Sequence, residues 1–112
     1  MEEINNLVSV CILTKNPGKI FQSVLNSVLN QNTNCQYEVI IVDSGSSDGT
    51  IDYIKSRSSD KIKLIEIEPS DFGHGKTRNF AIQNSSGEYI VMITHDAKPV
   101  DGNWLHNIIS PF

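Results

Sequence analysis

The stretch Tyr37–Gly49 (YEVIIVDSGSSDG) decides the fold of this 112-residue chain. It starts with a continuous apolar run, Tyr37–Val42, which is typical of a strand buried on both faces of a parallel sheet. The run stops at Asp43, and the segment Ser44–Gly49 is rich in serine, glycine and aspartate, which favour turns. We predict a buried strand that ends at Asp43 and delivers a polar loop to one edge of a sheet.

Apolar runs and helical patterns alternate on both sides of this stretch. The predicted strands are Leu7–Thr14, Tyr37–Val42, Ile62–Ile67 and Tyr89–Ile93. The predicted helices are Pro17–Leu29, with Asn16 as its N-cap, Ile51–Ser56, Lys76–Gln83 and Trp104–Ile109. Strands and helices that alternate through short links are typical of an α/β fold with a mostly parallel sheet and flanking helices. Within that sheet, the alternation of apolar and charged residues in Ile62–Ile67 predicts either one exposed face or an edge position.

Composition narrows the class of protein. With 38% hydrophobic residues the chain can form a core, which we expect to belong to a single domain over residues 1–112. No run of about 18 apolar residues is present, so we predict no transmembrane segment. The net charge of −4 argues against a nucleic-acid partner. The acidic start, Met1–Asn6, does not resemble a secretory signal, so we expect a cytoplasmic location, with the inner face of the membrane as one candidate site of action.

The two cysteines do not form a disulfide framework. Cys11 lies in an apolar run and is expected in the core, whereas Cys35 lies in a polar segment. In a reducing cytoplasm we expect both to be free thiols.

Polar residues follow three of the predicted strands at the point where each strand ends. They form the segments Thr14–Asn16, Asp43–Asp48 and Thr94–Asp96. In a parallel sheet, ligands bind outside the carboxyl ends of the strands. We therefore expect a ligand site at this edge.

The residue types at this edge suit a nucleoside diphosphate. The Asp43 carboxylate can accept a hydrogen bond from the ring N–H of a pyrimidine, and Asp96 can hold Mg²⁺ or Mn²⁺ beside a diphosphate. Lys76 and Arg78 start a helix next to glycines, where they can meet base, ribose or phosphate, and His95 can touch the same ligand as Asp96. Each residue also has a plainer interpretation, such as a turn cap for Asp43 or a surface cation for Arg78.

A phosphate-binding loop is an alternative. Gly75-Lys76-Thr77 matches the end of the P-loop pattern, and Asp96 imitates its magnesium ligand. The leading glycine of that pattern would be residue 70, which is Ser70. His74 lies between two glycines, and both a sugar or phosphate contact and a loop-packing role remain open for it.

Four segments, in this order, resemble the inverting family 2 glycosyltransferases. They are Val8–Asn16, Val39–Thr50, Thr77–Asn79, which is similar to the Ala-Arg-Asn segment of that family, and Gly87–Ala97, which is similar to the strand that carries its Asp-x-Asp motif. Within the family, Phe72–Asn79 and the Thr-x-Asp-Ala form are similar to bacterial rhamnosyltransferases.

The resemblance implies a GT-A (Rossmann-like) fold and transfer of a sugar, with rhamnose as a candidate, from a dTDP- or UDP-linked donor. The acceptor would be a glycan or a lipid-linked molecule, and transfer would proceed with inversion. By position, the resemblance implies that Thr14 and Asn16 line the nucleotide pocket, Asp43 binds the base, Arg78 contacts the nucleotide and Asp96 meets metal or ribose.

Two positions depart from the family pattern. Thr94 replaces the first aspartate of Asp-x-Asp, which leaves the need for Mg²⁺ or Mn²⁺ open, and Ser44 stands where many members carry a second aspartate. No residue after Asp96 is well placed as a catalytic base, so we expect that base beyond Phe112 and the 112-residue chain alone to be inactive. A non-catalytic module that binds nucleotide sugars is the alternative.

Overall fold

Parallel strands and helices alternate along the chain in the computed structural model, which describes residues 7–33, 36–99 and 101–109. The elements are β1 Val8–Thr14, α1 Ile20–Leu29, β2 Tyr37–Asp43, α2 Thr50–Ser56, β3 Ile62–Glu66, α3 His74–Gln83, β4 Tyr89–Thr94 and α4 Trp104–Ile109. A short 3-10 turn, Pro69–Asp71, precedes α3. The strands form one sheet in the order β3-β2-β1-β4, and each neighbouring pair is parallel. The predicted α/β fold and the edge position of β3 are confirmed.

The strand order places β1 at the point where the sheet changes direction. The chain builds outward from β1 through β2 to β3 on one side and returns to the other side with β4. In the register of the sheet, Thr14 lies beside Asp43 and Leu13 lies beside Thr94. A crevice outside the carboxyl ends of the strands is expected at such a switch point. The topology therefore brings the polar strand ends to one place.

Side chains of the strands alternate between two apolar layers. One layer contains Val8, Val10 and Ile12 of β1 together with the buried stripe of α1, Ile54 of α2 and Leu105 of α4. Trp104 packs against this layer and so anchors the last helix. The stripe of α1 consists of Phe21, Val24, Leu25 and Val28, each at most 1% exposed. Side chains of this size contribute about 1.5–3 kcal/mol each when fully buried.

The second layer lies under α3 and contains Cys11, Ile40, Val42 and Ala81. Cys11 is buried and free, as predicted, and burial raises the pKa of its thiol, against which the hydrogen bond with Ser85 acts. Cys35 lies outside the described residues. No helix in the described ranges has both the length and the apolar character needed to cross a bilayer.

Asn16 does not cap α1, so that prediction is wrong. The helix begins at Ile20, with Lys19 as its N-cap residue. Asn16 adopts a left-handed conformation (φ +44°), its N–H donates to Ser46 Oγ (2.8 Å), and its Oδ1 accepts the N–H of Ser47 (2.7 Å). The side chain is bonded to the loop after β2, which a pattern of neighbouring residues does not reveal.

Helix α3 begins two residues earlier than predicted, at His74. Its first turn is closed by a reciprocal pair of hydrogen bonds. The Thr77 N–H donates to the Gly73 carbonyl (2.7 Å), and the Gly73 N–H donates to Thr77 Oγ1 (3.1 Å). His74 therefore lies on the first turn of a helix rather than in a loop.

A small polar network joins the strands near their amino ends. Ser9 Oγ donates to Glu38 Oε2 (2.6 Å), which also accepts the N–H of Ser86 (2.6 Å). The Gly87 N–H in turn donates to Ser9 Oγ (2.9 Å). The network fixes the link between α3 and β4 against the start of β1 and β2, and so sets the register of β4.

Gly87→Ala is expected to lower the free energy of unfolding by about 2 kcal/mol, the usual cost of overpacking. A Cβ at this position would lie 2.6 Å from Ser9 Oγ, 2.7 Å from Ser9 N and 2.8 Å from the Leu7 carbonyl oxygen. Two of these atoms belong to the backbone and cannot turn away. Denaturant unfolding measures the change.

Gly75→Ala is the matched control, because a Cβ at Gly75 meets nothing within 4 Å. Gly75 lies inside α3, so alanine should be neutral or stabilise by up to ~1 kcal/mol. A loss at Gly87 of less than about 0.5 kcal/mol, the range of ordinary surface changes, would contradict the close contact seen here.

Candidate functional site

A cavity of about 400 Å³ lies between the carboxyl ends of β1 and β4 and the start of α3. Its apolar walls are formed by Leu13, Phe72, Met92 and Ile93. Its polar lining consists of Thr14, Lys15, His74, Arg78, Thr94 and His95. The cavity occupies the switch point of the sheet, and it brings together three of the predicted site residues, Thr14, Arg78 and His95.

The charge of this lining is positive. Lys15 and Arg78 carry positive charge, and no aspartate or glutamate takes part in the lining. The His74 ring meets the edge of Phe72 at a centroid distance of 5.1 Å. Because the whole chain carries a net charge of −4, this concentration of basic groups suits an anionic ligand.

Asp43 lies behind the cavity wall rather than in it. Asp43 is 1% exposed, and its Oδ2 accepts a hydrogen bond at 2.6 Å from Oγ1 of Thr14, a residue of the cavity lining. Oδ2 also accepts Ser46 Oγ (2.6 Å), while Oδ1 accepts the N–H groups of Gly45 (2.9 Å) and Ser46 (2.8 Å). These four bonds use the lone pairs of the carboxylate. A base N–H reaches it only by replacing a hydroxyl donor, and both hydroxyls can rotate.

The same hydrogen bonds control the ionisation of Asp43. Burial by itself raises the pKa of the carboxyl group, but the bonds from Ser46, Thr14 and Gly45 outweigh burial and hold the pKa below its ordinary value. Asp43 is therefore a buried, ionised anchor for the loop that follows β2.

Lys15 belongs to the cavity, although the sequence interpretation gave it no role. Its Nζ donates to the carbonyl oxygens of Ser44 and Gly45, each at 3.1 Å. Gly45 has φ +101°, and a Cβ there would lie 2.7 Å from Pro69 Cγ and 3.2 Å from Lys15 Nζ. The available signal was the place of Lys15 between two predicted pocket residues.

Ser44 and Asn16 hold the loops of the site instead of lining its cavity. The Ser44 N–H donates to the Thr14 carbonyl at 3.1 Å and its Oγ to the same oxygen at 3.4 Å, which joins the ends of β1 and β2. Asn16 binds Ser46 and Ser47 as described above. Neither residue is part of the cavity lining, and a contact of either one with a nucleotide stays a prediction.

Lys76 is not brought to this cavity. It lines a different one, together with Ile67, Asp71 and Phe80, on another face of α3 from His74 and Arg78. The P-loop alternative is disfavoured, because its loop would follow β3, which lies at the sheet edge and away from the switch point.

Asp96 follows β4 and is exposed, and its Oδ1 accepts a hydrogen bond from Thr94 Oγ1 (2.9 Å). Among the residues that the structure describes, no three His, Cys, Asp or Glu side chains are grouped as a metal site. Mg²⁺ is often held by only one or two carboxylates, with water and substrate phosphates completing its shell. Asp96 is not part of the cavity lining, and its role as a metal ligand stays a prediction.

Comparisons with known proteins agree with this geometry. The family model described as "Glycosyl transferase family 2" matches residues 9–112. The O-antigen chain rhamnosyltransferase RfbN of Salmonella typhimurium is 30% identical over 106 residues, which are 94% of this chain and 33% of that protein. The glycosyltransferase AglE of Haloferax volcanii is 34% identical over 106 residues, which are 92% of this chain and 34% of that protein.

Solved structures show the same fold. The structure of TarS from Staphylococcus aureus in complex with UDP-GlcNAc matches with a TM-score of 0.80 and 26% identity, over 92% of this chain and 30% of that chain. The mannosyltransferase PcManGT from Pyrobaculum calidifontis, in complex with GDP-Man and Mn²⁺, matches with a TM-score of 0.75 and 25% identity, over 88% and 30%. The chain thus spans about a third of the length of these relatives. Since its parallel sheet is the GT-A sheet and the family model matches nearly all of its residues, the chain belongs to glycosyl transferase family 2.

Proposed function

We propose that the cavity at the switch point binds the nucleoside diphosphate of a sugar donor, and that this chain forms the donor-binding part of an inverting glycosyltransferase. The observation that carries the proposal is the cavity itself, with cations and apolar walls at the carboxyl ends of β1 and β4. Its volume of about 400 Å³ lies within the range of small-molecule sites.

The two kinds of wall suit the two halves of a nucleotide. Leu13, Met92 and Phe72 offer apolar surface to the face of a base. Lys15 and Arg78 offer charged donors to phosphate oxygens, with the guanidinium able to bind two oxygens at once. Asp43 accepts the base N–H in place of the Thr14 or Ser46 hydroxyl.

Donor chemistry follows from this arrangement. A base deprotonates the acceptor hydroxyl, whose oxygen attacks the anomeric carbon as the bond from that carbon to the diphosphate breaks. The electron pair of the broken bond stays on the diphosphate, where cations stabilise it. Asp96 would hold Mg²⁺ or Mn²⁺, and a bound ion would neutralise part of the same charge. The cavity lining has no carboxylate, so we assign the cavity to the donor and not to deprotonation of the acceptor.

The names of similar proteins suggest which nucleotide sugar is the donor. RfbN is named a rhamnosyltransferase, whereas the TarS structure holds UDP-GlcNAc. We propose a dTDP- or UDP-linked sugar, with rhamnose as the first candidate, and a glycan or lipid-linked acceptor.

Titration calorimetry with dTDP, UDP, GDP and ATP tests the proposal, with and without Mg²⁺. A pyrimidine diphosphate should bind at least about tenfold more tightly than ATP, because adenine has no ring N–H to donate to the Asp43 carboxylate and one hydrogen bond to an ionised carboxylate discriminates by roughly this amount. Preferred binding of ATP with Mg²⁺ would support the phosphotransferase alternative instead. Acceptor-dependent release of diphosphate from dTDP-rhamnose would show that this chain transfers the sugar by itself, whereas nucleotide binding without release is the result expected of a donor-binding part.

A further inference from the structure

Lys15 is a cation whose position in the cavity wall is fixed by the backbone. Its ammonium donates two hydrogen bonds to the consecutive carbonyl oxygens of Ser44 and Gly45. A lysine ammonium has three donors, so one of them remains for water or a ligand. Gly45, which lacks a side chain beside Lys15 Nζ, leaves room for this arrangement.

No acidic side chain competes for this charge among the residues that the structure describes. The ion pair found there joins Lys55 to Glu66, which lie outside the cavity. Asp43 precedes the two carbonyls that hold Lys15, but its four hydrogen bonds come from Thr14, Gly45 and Ser46. The positive charge of Lys15 is thus held in place and left for an anion.

Arg78 borders the same cavity from α3, while Lys15 borders it from the end of β1. Thr94 lines the same cavity as these two charges. A hydroxyl at that position does not repel a phosphate as a carboxylate does. The protein therefore brings positive charge, and no carboxylate, to the lining of this cavity.

We propose that Lys15 and Arg78 bind the diphosphate of the donor directly, so that the nucleotide binds without a divalent metal. The proposal rests on the proposed function, because it assigns one part of the ligand to one part of that cavity. A metal at Asp96 would then serve the transfer step and not the binding of the nucleotide.

The test compares UDP with uridine by titration calorimetry, in EDTA and in Mn²⁺, for the wild type, Lys15→Gln, Lys15→Arg and the matched control Lys19→Gln. In EDTA, the wild type should bind UDP at least about tenfold more tightly than uridine, since charge-assisted hydrogen bonds are worth this much. Lys15→Gln should lower the affinity for UDP by about tenfold and change the affinity for uridine by less than about twofold. Lys15→Arg should retain most of the UDP affinity, and Lys19→Gln should match the wild type.

Several results would overturn the proposal. If the protein binds UDP more tightly than uridine only when Mn²⁺ is present, the diphosphate is bound through the metal and this proposal is wrong. The proposed donor-binding function would still stand. If Lys15→Gln weakens uridine and UDP equally, Lys15 contacts the base. If no nucleotide or nucleoside binds under any condition, the proposed function fails as well. If Lys15→Gln does not fold, the affinity of the wild-type protein for UDP is measured in EDTA at several salt concentrations instead. Binding of a diphosphate by two protein cations must weaken as the ionic strength rises, and an affinity that does not change with salt would contradict the proposal.

Discussion

Asp43→Ala is expected to destabilise the protein by about 3–5 kcal/mol, because several donors lose their acceptor at once. The carboxylate accepts two hydroxyl and two backbone hydrogen bonds and is 1% exposed. Alanine leaves the hydroxyls of Thr14 and Ser46 and the N–H groups of Gly45 and Ser46 without these partners. Urea unfolding followed by circular dichroism measures the loss.

Two variants control this measurement. Asp43→Asn keeps the shape and one acceptor oxygen, so it should lose clearly less stability than alanine. Asp48→Ala removes an exposed carboxylate that bonds Thr50 and Gly18, and it should also have a smaller effect. If Asp43→Ala is no worse than Asp48→Ala, the buried anchor does not support the loop.

The pH dependence of unfolding checks the same anchor independently. Its hydrogen bonds hold the pKa of Asp43 below the ordinary value, so the ionised form stabilises the folded state at neutral pH. That contribution begins to disappear near pH ~4, the pKa of an unfolded aspartate, and is lost as the pH falls through the lower folded-state pKa. Asp43→Asn should therefore show a shallower loss of stability in acid than the wild type.

Arg78→Ala should weaken UDP or dTDP binding by about 10- to 100-fold, which corresponds to ~1.5–3 kcal/mol for hydrogen bonds from a charged group. Lys76→Ala, two residues away on the same helix, should weaken it far less. The reason is position, since Arg78 lines the cavity at the switch point and Lys76 lines another.

Both variants belong in one assay, with thermal unfolding as the check on folding. Arg78 and Lys76 are both exposed, so neither substitution should disturb the core. The reverse order, with the lysine more important, is what the phosphate-loop interpretation predicts. Such a result would indicate that the nucleotide binds on the face of α3 that carries Lys76.

Sequence alone predicted the strands well, because their buried faces demand continuous apolar runs and polar turns follow them at once. The run Tyr37–Val42 and the turn after it placed Asp43 at the end of β2, where the structure has it. The same logic placed Thr14 and Thr94 at the ends of neighbouring strands. Strand ends are local features, and a parallel sheet aligns them without further information.

The errors lie where a side chain bonds to a distant part of the chain. Asn16 has the pattern of a helix cap, but its partners, Ser46 and Ser47, belong to the next loop. In the sequence, Lys15 resembles any surface cation. It is held in the cavity lining by hydrogen bonds to the carbonyl oxygens of Ser44 and Gly45, about 30 residues further along the chain. The nucleotide contact predicted for Lys76 stays a prediction. The structure places Lys76 beside a different cavity from Arg78, and its neighbours in sequence do not decide which face of α3 turns toward the switch point.

The strand order also shapes how the protein folds. Strands β1, β2 and β3 pair in the order in which they occur along the chain, whereas β4 joins β1 only after three helices and two strands have intervened. Contacts between distant parts of a chain carry the larger loop-closure entropy, and they tend to form late in folding. The cavity is lined by residues of both β1 and β4, the two strands that pair late. A nucleotide bound as proposed would touch both strands, so its binding free energy would add to that of the pairing between β1 and β4 and would slow the opening of the sheet.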